Sequence, residues 1–172
     1  MMTTDTVRHI LWFLVLVTSQ VLVFNNIGFL GLINPFPYIY LLLIMPDTFK
    51  GFGAMSIGFL IGLTIDMFMD TGGMHASACT MLVFVRPFIL QNIASIDGYG
   101  EAMTPSAKQQ GFSWFVSYAA ILAGLHHLWL FYFEIFRTDE FFQTFFRAAG
   151  SWFFTLIIVI VIQIFSERNS AR

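Results

Sequence analysis

The sequence predicts an all-α integral membrane protein of about six transmembrane helices, and three observations carry that prediction. Of 172 residues, 58% are hydrophobic and 18% aromatic against only 10% charged, a balance outside that of soluble domains. Mean hydropathy is +0.78. The apolar runs are continuous, whereas a membrane barrel would alternate apolar and polar residues between regular turns. Since about 20 apolar residues cross a hydrocarbon core of roughly 30 Å, the chain has room for five or six such helices. Residues 1–172 are therefore expected to form a single polytopic domain with short loops.

The first span is expected over 7–24, closed by Asn25-Asn26. Arg8 before the apolar run imitates a signal peptide, but no small-x-small cleavage site follows, so the segment is expected to remain as a helix. The second span, 27–45, is irregular. Pro35, Pro37 and Pro46 fix φ and remove backbone donors, leaving Phe36 to Met45 for a straight helix, roughly 15 Å at the α-helical rise. Either the helix extends back through Ile27 to Ile33 with a kink, or the segment is re-entrant. The kinked crossing is favoured because buried non-helical backbone needs protein or water around it.

The third span, 52–70, and the fourth, 74–90, are joined by Thr71-Gly72-Gly73 alone and should pack as antiparallel neighbours. "QNIASIDGYGEAMTPSAKQQG" then forms the one long polar loop. The fifth span covers 112–133 and the sixth 148–165. Between them Phe141, Phe142, Phe145 and Phe146 recur at helical spacing beside charges, as in a turn of helix lying at the membrane interface.

With six crossings, Arg8, Lys50, Lys108, Arg168 and Arg172 share one side, with Arg86 near it, and Arg137 and Arg147 fall on the other. The positive-inside bias then puts both termini in the cytoplasm and Asp66 and Asp70 outside. A net charge of −2 without a basic run gives no footprint for nucleic acid. The single cysteine, Cys79, excludes an internal disulfide and reads as a small core residue.

Polar residues within the spans are few. Ala54, Gly58, Gly62, Asp66 and Asp70 recur every four residues and form one stripe along the third helix. Gly58 and Gly62 make a G-x-x-x-G pair, which admits another helix closely, so the acids lie on a packed face. They are read either as hydrated boundary residues bonded to the turn or as contacts to a partner or ligand. Asp66, Asp70 and His75 would offer oxygen and nitrogen to a metal, but the spacing lacks the two-histidine helical pattern and no further carboxylates gather. Gly72 and Gly73 are expected to take positive φ where one helix ends and the next begins.

His126 and His127 point about 100° apart and cannot both face one ligand, so hydrogen bonding between helices is their expected role. Arg86 precedes Pro87 near the end of the fourth span, where it can snorkel to lipid heads or pair with an acid. No serine nucleophile with a base, phosphate loop or paired carboxylate appears, and no cofactor is expected.

The stretches "INPFPYIYLLLIMP", "GFLIGLTIDMFMDTGGMHASA" and "LVFVRPFIL" resemble the rod-shape-determining MreD family, particularly the forms of Bacteroidetes-type bacteria. The shared pattern is a proline-flanked span, a glycine-rich helix ending in Asp, a glycine turn and a small-residue helix. It covers roughly residues 1–165 and is most specific over 34–90. The long "DGYGEAMTPSAKQQG" loop departs from it.

The resemblance implies a multi-pass protein of the bacterial inner membrane, surrounded by lipid and belonging to the machinery of cell-wall elongation. It implies binding to the single-span MreC protein and work with MreB, RodA and a class B penicillin-binding transpeptidase. The fold it implies is similar to the six-helix substrate-binding subunits of energy-coupling-factor transporters. The Gly58 to Asp66 stripe and the Gly72-Gly73 turn match its most distinctive region, and it assigns no catalytic residues.

The expected function is thus a non-enzymatic scaffold whose small-residue faces hold a partner helix. The alternatives are a transporter subunit binding a small molecule in an outward pocket near Asp66, Asp70 and His75, and a metal-dependent membrane enzyme.

Overall fold

A computed structural model describes residues 4–26, 33–46, 48–93, 105–135 and 141–169. The elements are α1 (Thr4–Ser19), α2 (Ile39–Leu43), α3 (Gly51–Met69), α4 (Met74–Asn92), α5 (Ala107–Gln110), α6 (Phe112–Ile135) and α7 (Phe141–Asn169). A π-helical turn, Gln20–Phe24, prolongs α1. Among the described residues five helices are long and apolar enough to cross a membrane: α1 with its π turn, α3, α4, α6 and α7. The chain is an all-α membrane protein.

α3 packs along α4, α4 along α6 and α6 along α7, while α1 lies at the edge with Leu11, Leu14, Val15 and Leu22 exposed. Outward apolar side chains are what a bilayer solvates, while the interior is a mainly apolar core that also encloses polar side chains such as Asp66, Arg86, His126 and His127. Pro87 sits inside α4 near its end. α7 runs unbroken from Phe141, so the phenylalanine-rich turn expected at the interface is the first turn of the last helix.

The second span differs most from expectation. Its helix is only Ile39–Leu43, five residues, and Asn34 to Phe36 carry no helix; residues 27–32 lie outside the described residues. The prolines explain the short helix, since Pro35 and Pro37 deny donors to a preceding turn and Pro46 follows its end. Irregular backbone is stable at this depth because protein surrounds it: Phe36 and Tyr38 to Met45 are all at most 7% exposed.

Side chains from neighbouring helices satisfy this backbone. The Asn34 N–H donates to Ser151 Oγ (2.9 Å), and the Phe36 N–H donates to Thr155 Oγ1 (2.8 Å). Gln20 Nε2 donates to the Pro35 carbonyl (3.3 Å), and the Tyr40 hydroxyl to Gln163 Oε1 (2.9 Å). His9 lies 3.5 Å from the Ile44 carbonyl. The segment thus runs antiparallel to α1, from the level of Gln20 to that of His9, and parallel to α7. Thr144, Ala148, Ser151, Thr155, Val159 and Gln163 form the buried stripe of α7 that receives it.

Arg86 closes the far end of the segment. It is 2% exposed, and donates to Tyr118 Oη (2.9 Å) and to the Met45 carbonyl, while the Tyr118 hydroxyl donates to the Leu43 carbonyl (2.9 Å). The guanidinium therefore stands at the C-terminal, partly negative end of α2 instead of snorkelling to lipid heads. Arg86→Lys is expected to destabilise by about 2 kcal/mol, because an ammonium lacks the planar fork that serves both acceptors. Tyr118→Phe should cost about 1 kcal/mol. Thermal unfolding in detergent gives the order, and an Arg86→Lys protein as stable as the parent would refute the contact.

Candidate functional site

Asp66 and His75 lie at the end of the bundle where α3 turns into α4, with His126 and His127 in the layer beneath, whereas Arg86 lies toward the opposite end. α3 ends with Asp70 in the left-handed region (φ 56°), and Gly72 and Gly73 follow at φ 57° and 95°. Gly73 is the N-cap of α4 and has no side chain to offer the first N–H groups of that helix.

Asp66 supplies the missing cap from one turn inside α3. Its Oδ1 accepts from the His75 N–H (2.9 Å) and from the Thr71 hydroxyl, and its Oδ2 accepts from the Ala76 N–H (2.8 Å). At 4% exposure the carboxylate is buried, and it faces the positive end of α4. The α3 stripe allows this approach. A Cβ on Gly62 would stand 2.5 Å from Ala76 Cα and 2.6 Å from Ala76 N. A Cβ on Gly58 would stand 2.8 Å from Val83 Cγ2 and 3.1 Å from the Cys79 carbonyl. The G-x-x-x-G face is thus filled by α4 of the same chain, not left open to another protein.

Of the residues predicted as a site, Gly58, Gly62, Asp66, Gly72, Gly73 and His75 are brought together at this joint. Asp70 is exposed at the helix end, and Arg86 lies several turns farther along α4. Among the described residues no three His, Cys, Asp or Glu side chains gather as metal ligands.

Beneath the cap lies a layer that sequence reasoning largely missed. His75 is 2% exposed; its ring stacks near Tyr38 (centroids 6.0 Å, 23°) and meets Phe36 edge-on (5.1 Å). The Tyr38 hydroxyl hydrogen-bonds His126 Nε2 at 3.0 Å, with Cys79 Sγ 3.8 Å from the same nitrogen. His127 Nδ1 lies 2.7 Å from the Ala123 carbonyl, which can only accept, so the proton is on Nδ1. Its Nε2 lies 3.1 Å from Thr155 Oγ1. The two histidines therefore tie α6 to different neighbours, one to the buried segment and one to α7. Tyr38, Ser151 and Thr155 had one legible signal, a hydroxyl within an otherwise apolar run.

A separate lateral groove of about 340 Å³ lies between α6 and α7, lined among others by Ala120, Gly124, Leu128, Ala149 and Trp152. Trp152 forms one wall, its Nε1–H donating to the Ala120 carbonyl (2.9 Å).

No family model matches this chain, and no curated protein or solved structure matches it.

Proposed function

We propose that the chain is a non-enzymatic scaffold of the cell-wall elongation machinery in the bacterial inner membrane, with six passes and both termini in the cytoplasm. In this reading the buried 33–46 segment is the second pass. The protein holds the transmembrane helix of an MreC-like single-span partner and, through it, acts with MreB, RodA and a class B penicillin-binding transpeptidase. The likeness to energy-coupling-factor substrate-binding subunits belongs to the same proposal.

One observation supports a structural role above a chemical one: the buried acid and the buried arginine of the spans are both engaged by the fold. Asp66 caps α4 and Arg86 closes α2. The sequence resemblance supplies the biological setting, and its most specific part, 34–90, builds this internal joint. Because α4 covers the Gly58–Gly62 face, the partner helix is assigned to the groove between α6 and α7, whose Ala120, Gly124 and Ala149 permit close approach.

Affinity purification of the tagged chain from gently solubilised native membranes, followed by mass spectrometry, tests the reading. Recovery of a single-span coiled-coil protein with wall-synthesis enzymes is expected. Ala149→Leu, which fills the groove, should reduce that recovery about tenfold, the equivalent of roughly 1.4 kcal/mol, without changing the amount of chain in the membrane. Recovery of paired ATPases and a coupling subunit would instead establish the transporter alternative.

A further inference from the structure

His75 is held in the interior with a demand the fold does not meet. It is 2% exposed, and neither ring nitrogen has a hydrogen-bond partner among the described residues. An imidazole carries at least one N–H in either charge state, and such a donor is strongly unfavourable in a membrane bundle unless something accepts from it. Tyr38 on one face and Phe36 at the edge fix the ring, so rotation is not an easy escape.

The nearest carboxylate oxygen stands at a telling distance. His75 Nδ1 is 3.9 Å from Asp66 Oδ1, beyond a direct hydrogen bond, so the two groups are neighbours without satisfying one another. Asp66 has capacity for a further donor. Its Oδ1 already accepts two donors, the His75 N–H and the Thr71 hydroxyl, whereas Oδ2 accepts only the Ala76 N–H, so the open lone pair is on Oδ2. The carboxylate also bonds Thr71 in the turn that contains the exposed Gly72, so the pair lies close to the end of the bundle.

We propose that a water molecule binds between His75 Nδ1 and Asp66 Oδ2, the carboxylate oxygen with a lone pair to spare, making this joint an internal hydrated site. The donor and acceptor set suits a small uncharged hydrogen-bonding guest, and water is the smallest that can both accept from an imidazole N–H and donate to a carboxylate. His126 Nδ1, fully buried and also without a partner, marks the same layer as one that exceeds its own hydrogen-bonding supply.

Water-edited nitrogen-15 NMR of the full chain in lipid bilayers, with labelled histidine, tests this directly. Magnetisation transfer from water to His75 Nδ1 is expected. His127 is the internal control and should stay silent, because both its nitrogens have protein partners. A His75 signal as silent as that of His127 would overturn the proposal, as would a stoichiometric metal ion bound at the imidazole. His75→Phe keeps a ring beside Tyr38 and removes both nitrogens. It should lower the unfolding midpoint by several degrees if the imidazole is hydrated, whereas an unchanged or higher midpoint would count against a bound water.

Discussion

Gly62→Ala is expected to destabilise the protein by about 3 kcal/mol or more, toward the upper end of what one added methyl does in a packed core. The new Cβ would stand 2.5 Å from Ala76 Cα and 2.6 Å from Ala76 N, both backbone atoms of α4. Backbone in a capped helix cannot rotate aside, so α3 and α4 must separate. Separation also pulls Asp66 away from His75 N and Ala76 N. Gly58→Ala should cost less, about 1–2 kcal/mol, because its nearest neighbour is the side-chain methyl Val83 Cγ2 at 2.8 Å. Gly53→Ala meets nothing within 4 Å and should be neutral or favourable by up to about 1 kcal/mol through helix propensity. Unfolding midpoints in one detergent read the order. A Gly62→Ala midpoint equal to that of Gly53→Ala would mean that the helices do not approach as described.

Removing the cap is the second large effect. Asp66→Ala strands two backbone N–H groups and the Thr71 hydroxyl at a buried helix end, with an expected loss of about 3–5 kcal/mol. Asp66→Asn should lose about half as much. Its carbonyl oxygen serves one N–H, but its amide group turns a donor toward the other and the favourable charge at the helix end disappears. Thr71→Val alone should cost about 1 kcal/mol, and far less in an Asp66→Ala background, since the acceptor is already gone. Full additivity of the two changes would show that Thr71 and Asp66 do not interact. An Asp66→Ala protein with a normal midpoint would reassign Asp66 to ligand or partner contact.

The fate of these residues shows where sequence reasoning reaches. A repeat of four from Ala54 to Asp66 is a local property of one helix, so it predicts a packed face without saying what packs there. Asp70 continues the repeat, yet it leaves the face because the helix ends at Met69 and its backbone turns left-handed. His75 and Asp66 are nine positions apart, and their proximity depends on how tightly the Gly72-Gly73 turn folds α4 back. Tyr38 and Gln163, by contrast, are bonded to His126 and Tyr40 across 88 and 123 positions. No spacing rule reaches such pairs.

By itself the sequence determined that this is a multi-helix membrane protein, with nearly the observed bounds for α3, α4 and α6. Those features follow from local hydrophobicity and from proline and glycine backbone limits, which each segment carries alone. Only the tertiary structure decided that residues 33–46 run as a short helix entered through irregular backbone and enclosed by protein, that Asp66 caps a helix other than its own, and that the glycine face is spent on α4. Each of these depends on which distant donor meets which acceptor. In a membrane interior every backbone group must find a partner within the protein, so the assembled bundle makes that assignment.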